Sequence, residues 1–135
     1  MTQEDKILLL KDLCSRLPYY PKCKMIDELR VVNNEKDSSY ISTLFPKHIE
    51  LFSYHNNFTI KPYLRPISSM TEEEKHKLLK FGAITCLENG EVIDVSCVGF
   101  ERHADVQDYL NTCHFDYRSL IPMGIALEAP EGMYN

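Results

Sequence analysis

The chain has 135 residues, a formal net charge of −5, 44% hydrophobic and 26% charged residues. That composition excludes wholesale disorder, and the length suits one domain over 1–135 that buries about two-thirds of its unfolded surface. The longest apolar run, Ile7-Leu8-Leu9-Leu10, is far short of the roughly 20 residues a membrane span needs, so no membrane association is expected.

The first segment reads as a helix. Thr2 can cap it, and Gln3, Glu4 and Asp5 put acidic groups where the dipole favours them. Leu10, Leu13, Cys14 and Leu17 fall at i, i+3, i+4 and i+7, one apolar stripe. Pro18 stops the helix.

Residues 22–60 read as strands. Cys23, Met25, Leu29 and Val31 share one parity, interrupted by Asp27, while Lys22, Lys24, Glu28 and Arg30 take the other. Asn33 to Ser39 is a polar turn. Tyr40 to Phe45 and His48 to Tyr54 read as two further strands broken at Pro46, and Phe58-Thr59-Ile60 as a short one after an Asn56-Asn57 turn. Short strands separated by turns predict an antiparallel meander or small barrel. Lys61 to Pro66 reads as a polyproline-like connector, because each proline biases its predecessor to extended backbone.

Thr71 and Glu74 match a capping box and open a second helix, which Gly82 ends. Asn89-Gly90 between two β-rich runs predicts a two-residue type I′ hairpin. Its register sets Leu87 against Val92 and Thr85 against Asp94, with Ile93, Val95 and Cys97 on one face. A third helix is expected over Ala104–Cys113, from the stripe Val106, Tyr109, Leu110 and Cys113. A short helical turn is expected around Tyr117–Ile121, then an extended piece through Ile125-Ala126-Leu127. The class is therefore α+β: an N-terminal helix, the strand region, then helix, hairpin and helix.

Two stretches carry a resemblance. Lys61-Pro62-Tyr63-Leu64-Arg65-Pro66-Ile67-Ser68-Ser69-Met70-Thr71-Glu72-Glu73-Glu74 is one. His114-Phe115-Asp116-Tyr117-Arg118-Ser119-Leu120-Ile121-Pro122, with Gly124 to Pro130, is the other. They resemble a family of small uncharacterised proteins of gut Bacteroidales and their phages and mobile elements. Members often carry Gly where this chain has Ser119. The resemblance implies a bacterial or phage setting and supplies no catalytic residue.

The charge is uneven. Residues 1–67 carry ten Lys and Arg against eight Asp and Glu, whereas residues 68–135 carry five against twelve, a net of +2 and −7. A general nucleic-acid binder shows a basic field, which the whole chain lacks, so nucleic acid is not the expected partner. The five cysteines, Cys14, Cys23, Cys86, Cys97 and Cys113, form no CxxC pair. With an N-terminus acidic where a signal peptide would be basic, they read as reduced thiols in a cytoplasmic protein.

Three functional readings follow. The first is non-enzymatic binding, expected to another protein. The second is a small enzyme using Cys113, His114 and Asp116 as nucleophile, base and orienter. Adjacent helical residues point about 100° apart, which argues instead that His114 and Asp116 order the end of the third helix. The third is a nucleic-acid module on the basic, aromatic N-terminal half, where Tyr54, His55, Lys61, Tyr63 and Arg65 could stack or pair with a ligand. These five, with His114, Asp116, Tyr117 and Arg118, are the candidate binding residues. No metal and no cofactor is expected. Cys86 and Cys97 lie roughly 13 Å apart along the expected hairpin, too far to share a zinc ion, and no glycine-rich phosphate loop is present.

Overall fold

The computed structural model describes residues 1–97 and 103–134, with the side chain of Cys97 outside the described set. The expected α+β class is what is found. Helix α1 (Gln3–Arg16) starts at a reciprocal capping box in which Thr2 accepts from Asp5 N–H and Asp5 from Thr2 N–H. Its inner line is Leu9, Asp12, Leu13 and Arg16, while Cys14 is exposed. The helix is thus rotated from the expected stripe, because the structure gives Asp12 and Arg16 partners inside the protein.

Strand β1 (Lys22–Asp27) runs between β4 (Ser39–Thr43) and β5 (Phe58–Leu64), antiparallel to both. Cys23 and Met25 point inward as their parity predicts. The parity fails at Leu29 and Val31, which are 73% and 63% exposed. There the chain leaves the sheet as a hairpin arm, β2 (Val31–Val32) and β3 (Glu35–Lys36). Asn33 and Asn34, at φ 53° and 64°, form its tip, a turn that asparagine tolerates. Only the first part of the expected long turn is therefore turn.

Residues 46–54 are helical, not a strand: α2 spans Pro46–Tyr54. Pro46 supplies helical φ at the first turn, and His48 Nδ1 accepts the Phe45 N–H at 3.0 Å, closing the N-terminus. His48 and Phe52, four apart, both turn inward, a spacing that short alternating runs conceal.

Residues 61–64 are not a connector but the second half of β5, a strand of strict in–out alternation. Pro62 is tolerated because the ladder with β1 does not need its N–H. Glu28 N–H donates to Asn57 O, so odd-numbered β5 residues bond to β1 and Pro62 turns its nitrogen away. The ladder ends where Lys22 and Tyr63 would pair. There the Tyr134 hydroxyl is inserted, accepting Lys22 N–H at 2.9 Å and donating to Tyr63 O at 2.6 Å. The fourth strand, β8 (Leu127–Glu128), comes from the C-terminal stretch and pairs parallel with β5. The sheet order is β4-β1-β5-β8, an open sheet rather than a barrel.

The first core packs α1 and α2 on one face of this sheet, around Leu9, Leu13, Met25, Phe52, Ile60 and Leu120. A second core lies beyond it around Met70, Leu78, Val92, Leu110 and Phe115. Helix α3 (Glu72–Lys80) opens at the expected box of Thr71 and Glu74. Strands β6 (Ala83–Glu88) and β7 (Glu91–Cys97) turn at Asn89-Gly90, with φ 53° and 82°. Leu87 faces Val92 as expected, but Thr85 faces Val95, because the register slips by one residue at Cys86/Leu87. The slip brings Val92 and Val95 together against the second core and leaves Ile93 54% exposed, so Ile93 and Val95 do not share a face as expected. Helix α4 (His103–Thr112) buries Val106 and Leu110 as its stripe predicts.

The expected helical turn at 117–121 is instead a run of non-helical turns. Asp116 accepts Leu120 N–H and Ile121 N–H at 2.8 and 2.9 Å, replacing helical partners with a carboxylate. Ser119 sits at φ 60°, left-handed backbone that glycine adopts most readily. The four described cysteines, Cys14, Cys23, Cys86 and Cys113, are free thiols.

Candidate functional site

The nine candidate binding residues separate into three places. Tyr54, 80% exposed, and His55 sit at the end of α2, away from the rest. Lys61 and Tyr63 lie on the face of the sheet opposite the helices. Arg65, His114, Asp116, Tyr117 and Arg118 come together where the two cores meet, and there almost every polar atom is already committed.

That junction is a polar seam. Asp12 accepts from Arg16 Nε at 2.7 Å and from Arg118 Nη1 at 2.6 Å, with its own side chain fully buried. Arg16, also fully buried, donates from Nη2 to Phe115 O at 2.6 Å. Arg118 donates to the Tyr117 hydroxyl, which donates to Asn111 Oδ1. Arg65 makes a two-pronged pair with Glu74 at 2.7 and 2.9 Å and lies 4.3 Å from the Phe115 ring centre. Its backbone bonds to His114 O and Asp116 N, tying β5 to the segment after α4. Buried charges demand partners, and each of these has at least one, although Arg16 Nη1 is buried without a hydrogen-bond partner and its guanidinium instead lies 5.0 Å from the Tyr117 ring centre.

Cys113, His114 and Asp116 do not form a relay. Both oxygens of Asp116 are occupied by backbone N–H groups. The His114 ring stacks on Tyr134 at 3.7 Å, and its Nδ1 is buried without a partner. Burial, then the Arg16 and Arg65 cations, lower its pKa to about 4. Burial raises the Cys113 thiol, so the thiolate that a nucleophile needs is disfavoured. Among the described residues, no three His, Cys, Asp or Glu side chains are placed to hold a metal ion. A shallow polar groove of about 660 Å³ runs past Arg65, Glu73, Lys77, Tyr109 and Tyr134, and its one arginine is taken up by Glu74.

The other face of the sheet contrasts with the seam. Inward-facing Met25 pairs with Tyr40 and Ile60, so the odd residues of β4 and β5 face outward with the even residues of β1. Three rows result. Ser39, Ile26 and Thr59 form one, Ile41, Lys24 and Lys61 the next, and Thr43, Lys22 and Tyr63 the third. None of these residues is buried, and none is a carboxylate. Lys24 and Lys61 are direct cross-strand partners, an arrangement that costs stability. Among the described residues neither has an ion-pair partner. Lys22 donates to Thr43 Oγ1 at 2.7 Å.

Sequence reasoning found Lys61 and Tyr63 but missed Lys22, Lys24 and Ile41. The signal was present in the alternation of Lys22 and Lys24 against Cys23 and Met25. What it lacked was the strand that sets Lys61 beside them. No protein-family model, curated protein or solved structure matches the chain.

Proposed function

We propose that this protein is a non-enzymatic binding module whose target is another protein, and that it docks through the outer face and free edge of the four-stranded sheet. The carrying observation is the uncovered cross-strand pair of Lys24 and Lys61 beside Ile41, which is 58% exposed on the edge strand. Natural edge strands are blunted or covered, and like charges are kept from facing each other, unless a partner uses them. The exposed Leu29 and Val31 of the hairpin arm extend the same end of the sheet. The seam residues support the reading from the other side, because most of their polar atoms are spent on holding the two cores together, and the two that are not, Arg16 Nη1 and His114 Nδ1, are buried. The family resemblance supplies the setting: a cytoplasmic protein of a phage or mobile element acting on a factor of its bacterial host.

The test is photo-cross-linking in a Bacteroidales lysate. A benzophenone amino acid at Ile41 should capture a discrete protein, and the same group at Leu79, 61% exposed on α3, should not. Capture from Leu79 alone, or from neither position, overturns the reading.

A further inference from the structure

We infer that the outer edge of β4, which no other described strand covers, takes up an acidic, extended protein segment as an added strand, with its carboxylates reaching Lys22 and Lys24 and lying in the field of Lys61. The inference rests on the reading of this face as a protein-binding surface, and it specifies the chemistry of the partner.

The edge is defined by its hydrogen bonds. Asp27 N–H donates to Ser38 O at 2.7 Å and Leu44 N–H to Pro21 O at 2.9 Å. Even-numbered residues of β4 therefore bond to β1, and Ser39, Ile41 and Thr43 turn their N–H and C=O groups away from the sheet. An alternating row of donors and acceptors at strand spacing is satisfied by another polypeptide strand. Thr43 O already accepts from the Ser42 hydroxyl at 2.9 Å, and a phosphate backbone, which offers acceptors but no donors, leaves the Ser39 and Ile41 carbonyls unmet.

The face selects the side chains. A strand added to β4 lies two strand spacings, about 10 Å, from β1. Glutamate on the added strand and lysine on β1 together span that gap, with the lysine stem lying along the Ile41 side chain. Every second residue of the added strand shares the lysine face, so the partner should alternate, acidic on that face and apolar on the other, which continues the inner side of the sheet past Tyr40, half-buried against the first core. Such a segment would also relieve the repulsion between Lys24 and Lys61. A second copy of this chain fits less well, since edge-to-edge pairing would bring a second lysine row to the same face.

The experiment titrates the full chain into a labelled peptide of about nine alternating glutamate and valine residues, a usual strand length. The comparison probes are an alternating lysine–valine peptide and a thymidine oligonucleotide of similar length. The expected result is binding of the acidic peptide alone, with amide shifts centred on Ser39, Ile41 and Thr43. Lys24→Glu should weaken it roughly tenfold and Lys61→Glu, one strand further from the edge, by less. Ile41→Pro removes an outward N–H without touching the β1 ladder and should abolish binding, with a melting curve confirming that the variant folds. Binding unaffected by Ile41→Pro overturns strand addition, and stronger binding of the oligonucleotide overturns the protein partner. Shifts at the same amides that grow with protein concentration alone would identify a second copy instead. If the acidic peptide fails to bind while Ile41 still captures a protein from lysate, the surface stands and the acidic-strand inference falls.

Discussion

Arg16 and Arg118 on one side of this molecule and Lys24 and Lys61 on the other show two opposite ways of placing cations. The arginines converge on one buried carboxylate, Asp12, with Phe115 O and the Tyr117 hydroxyl completing the set. The lysines face each other across two strands with no carboxylate on their face. Buried charge without partners costs several kcal/mol, so these ion pairs must form for the two cores to dock. Exposed like charges cost a few tenths, so the sheet can carry them ready for a ligand. Charge locks the fold in one place and is left available in the other.

The largest test breaks the seam. Asp12→Ala leaves two guanidinium groups facing each other in a buried site and should cost about 3–5 kcal/mol. The melting temperature should fall by roughly 10–20 °C in a chain of this size. A loss under about 1 kcal/mol would mean that the arginines find water and that the seam is not a lock.

Acid probes the same region. The pKa of His114 is lowered from the ordinary value to about 4 in the folded protein. Between those values the unfolded chain binds the extra proton, so this contribution is complete above about pH 6.5 and falls away as pH drops toward 4. Discounted for partial exposure, it is on the order of 2 kcal/mol. His114→Asn, which tolerates the φ of 61° there, should flatten urea stability between those pH values relative to the parent. An unchanged slope would place the titrating group elsewhere.

Tyr134→Phe deletes the hydroxyl that joins Lys22 N–H to Tyr63 O. The expected loss is about 1–3 kcal/mol, with faster amide exchange at Lys22. Equal exchange in the two proteins would mean that the strands close on each other directly once the hydroxyl is gone.

The smallest effect carries the opposite sign. Lys24→Gln removes the repulsion with Lys61 and should raise stability by about 0.2–0.5 kcal/mol, read from urea midpoints at low salt and fading at high salt. A destabilised variant would show that the two ammonium groups are not in each other's field.

The elements legible from sequence are those whose signal is local. The Thr2 and Thr71 caps, the Asn89-Gly90 turn and the Val106/Leu110 stripe depend on residues within one or two turns of each other, and each forms where expected. Residues 46–54 read either way, since His48 and Phe52 fit both a period of 2 and a period of 3.6, and the Phe45–His48 bond favours the helix. For the candidate site, alternation alone puts Lys22 and Lys24 on the face opposite Cys23. It does not show that Lys61 faces them, because Pro62 reads as a connector until β1 lies alongside.

By itself, then, the sequence determined the α+β class, three of the four α-helices among the described residues, the second hairpin and the uneven charge. Tertiary structure alone decided that Pro62 stands in a strand between β1 and β8. It also decided that Arg16 is buried and that a C-terminal tyrosine completes a ladder near the N-terminus. The physical reason is shared. A capping box or a tight turn satisfies its hydrogen bonds within a few residues, whereas a proline in a strand or a buried guanidinium is acceptable only when distant groups are already in place. Asp12 to Arg118 and Lys22 to Tyr134 are such pairs, with more than a hundred residues between their members in the chain.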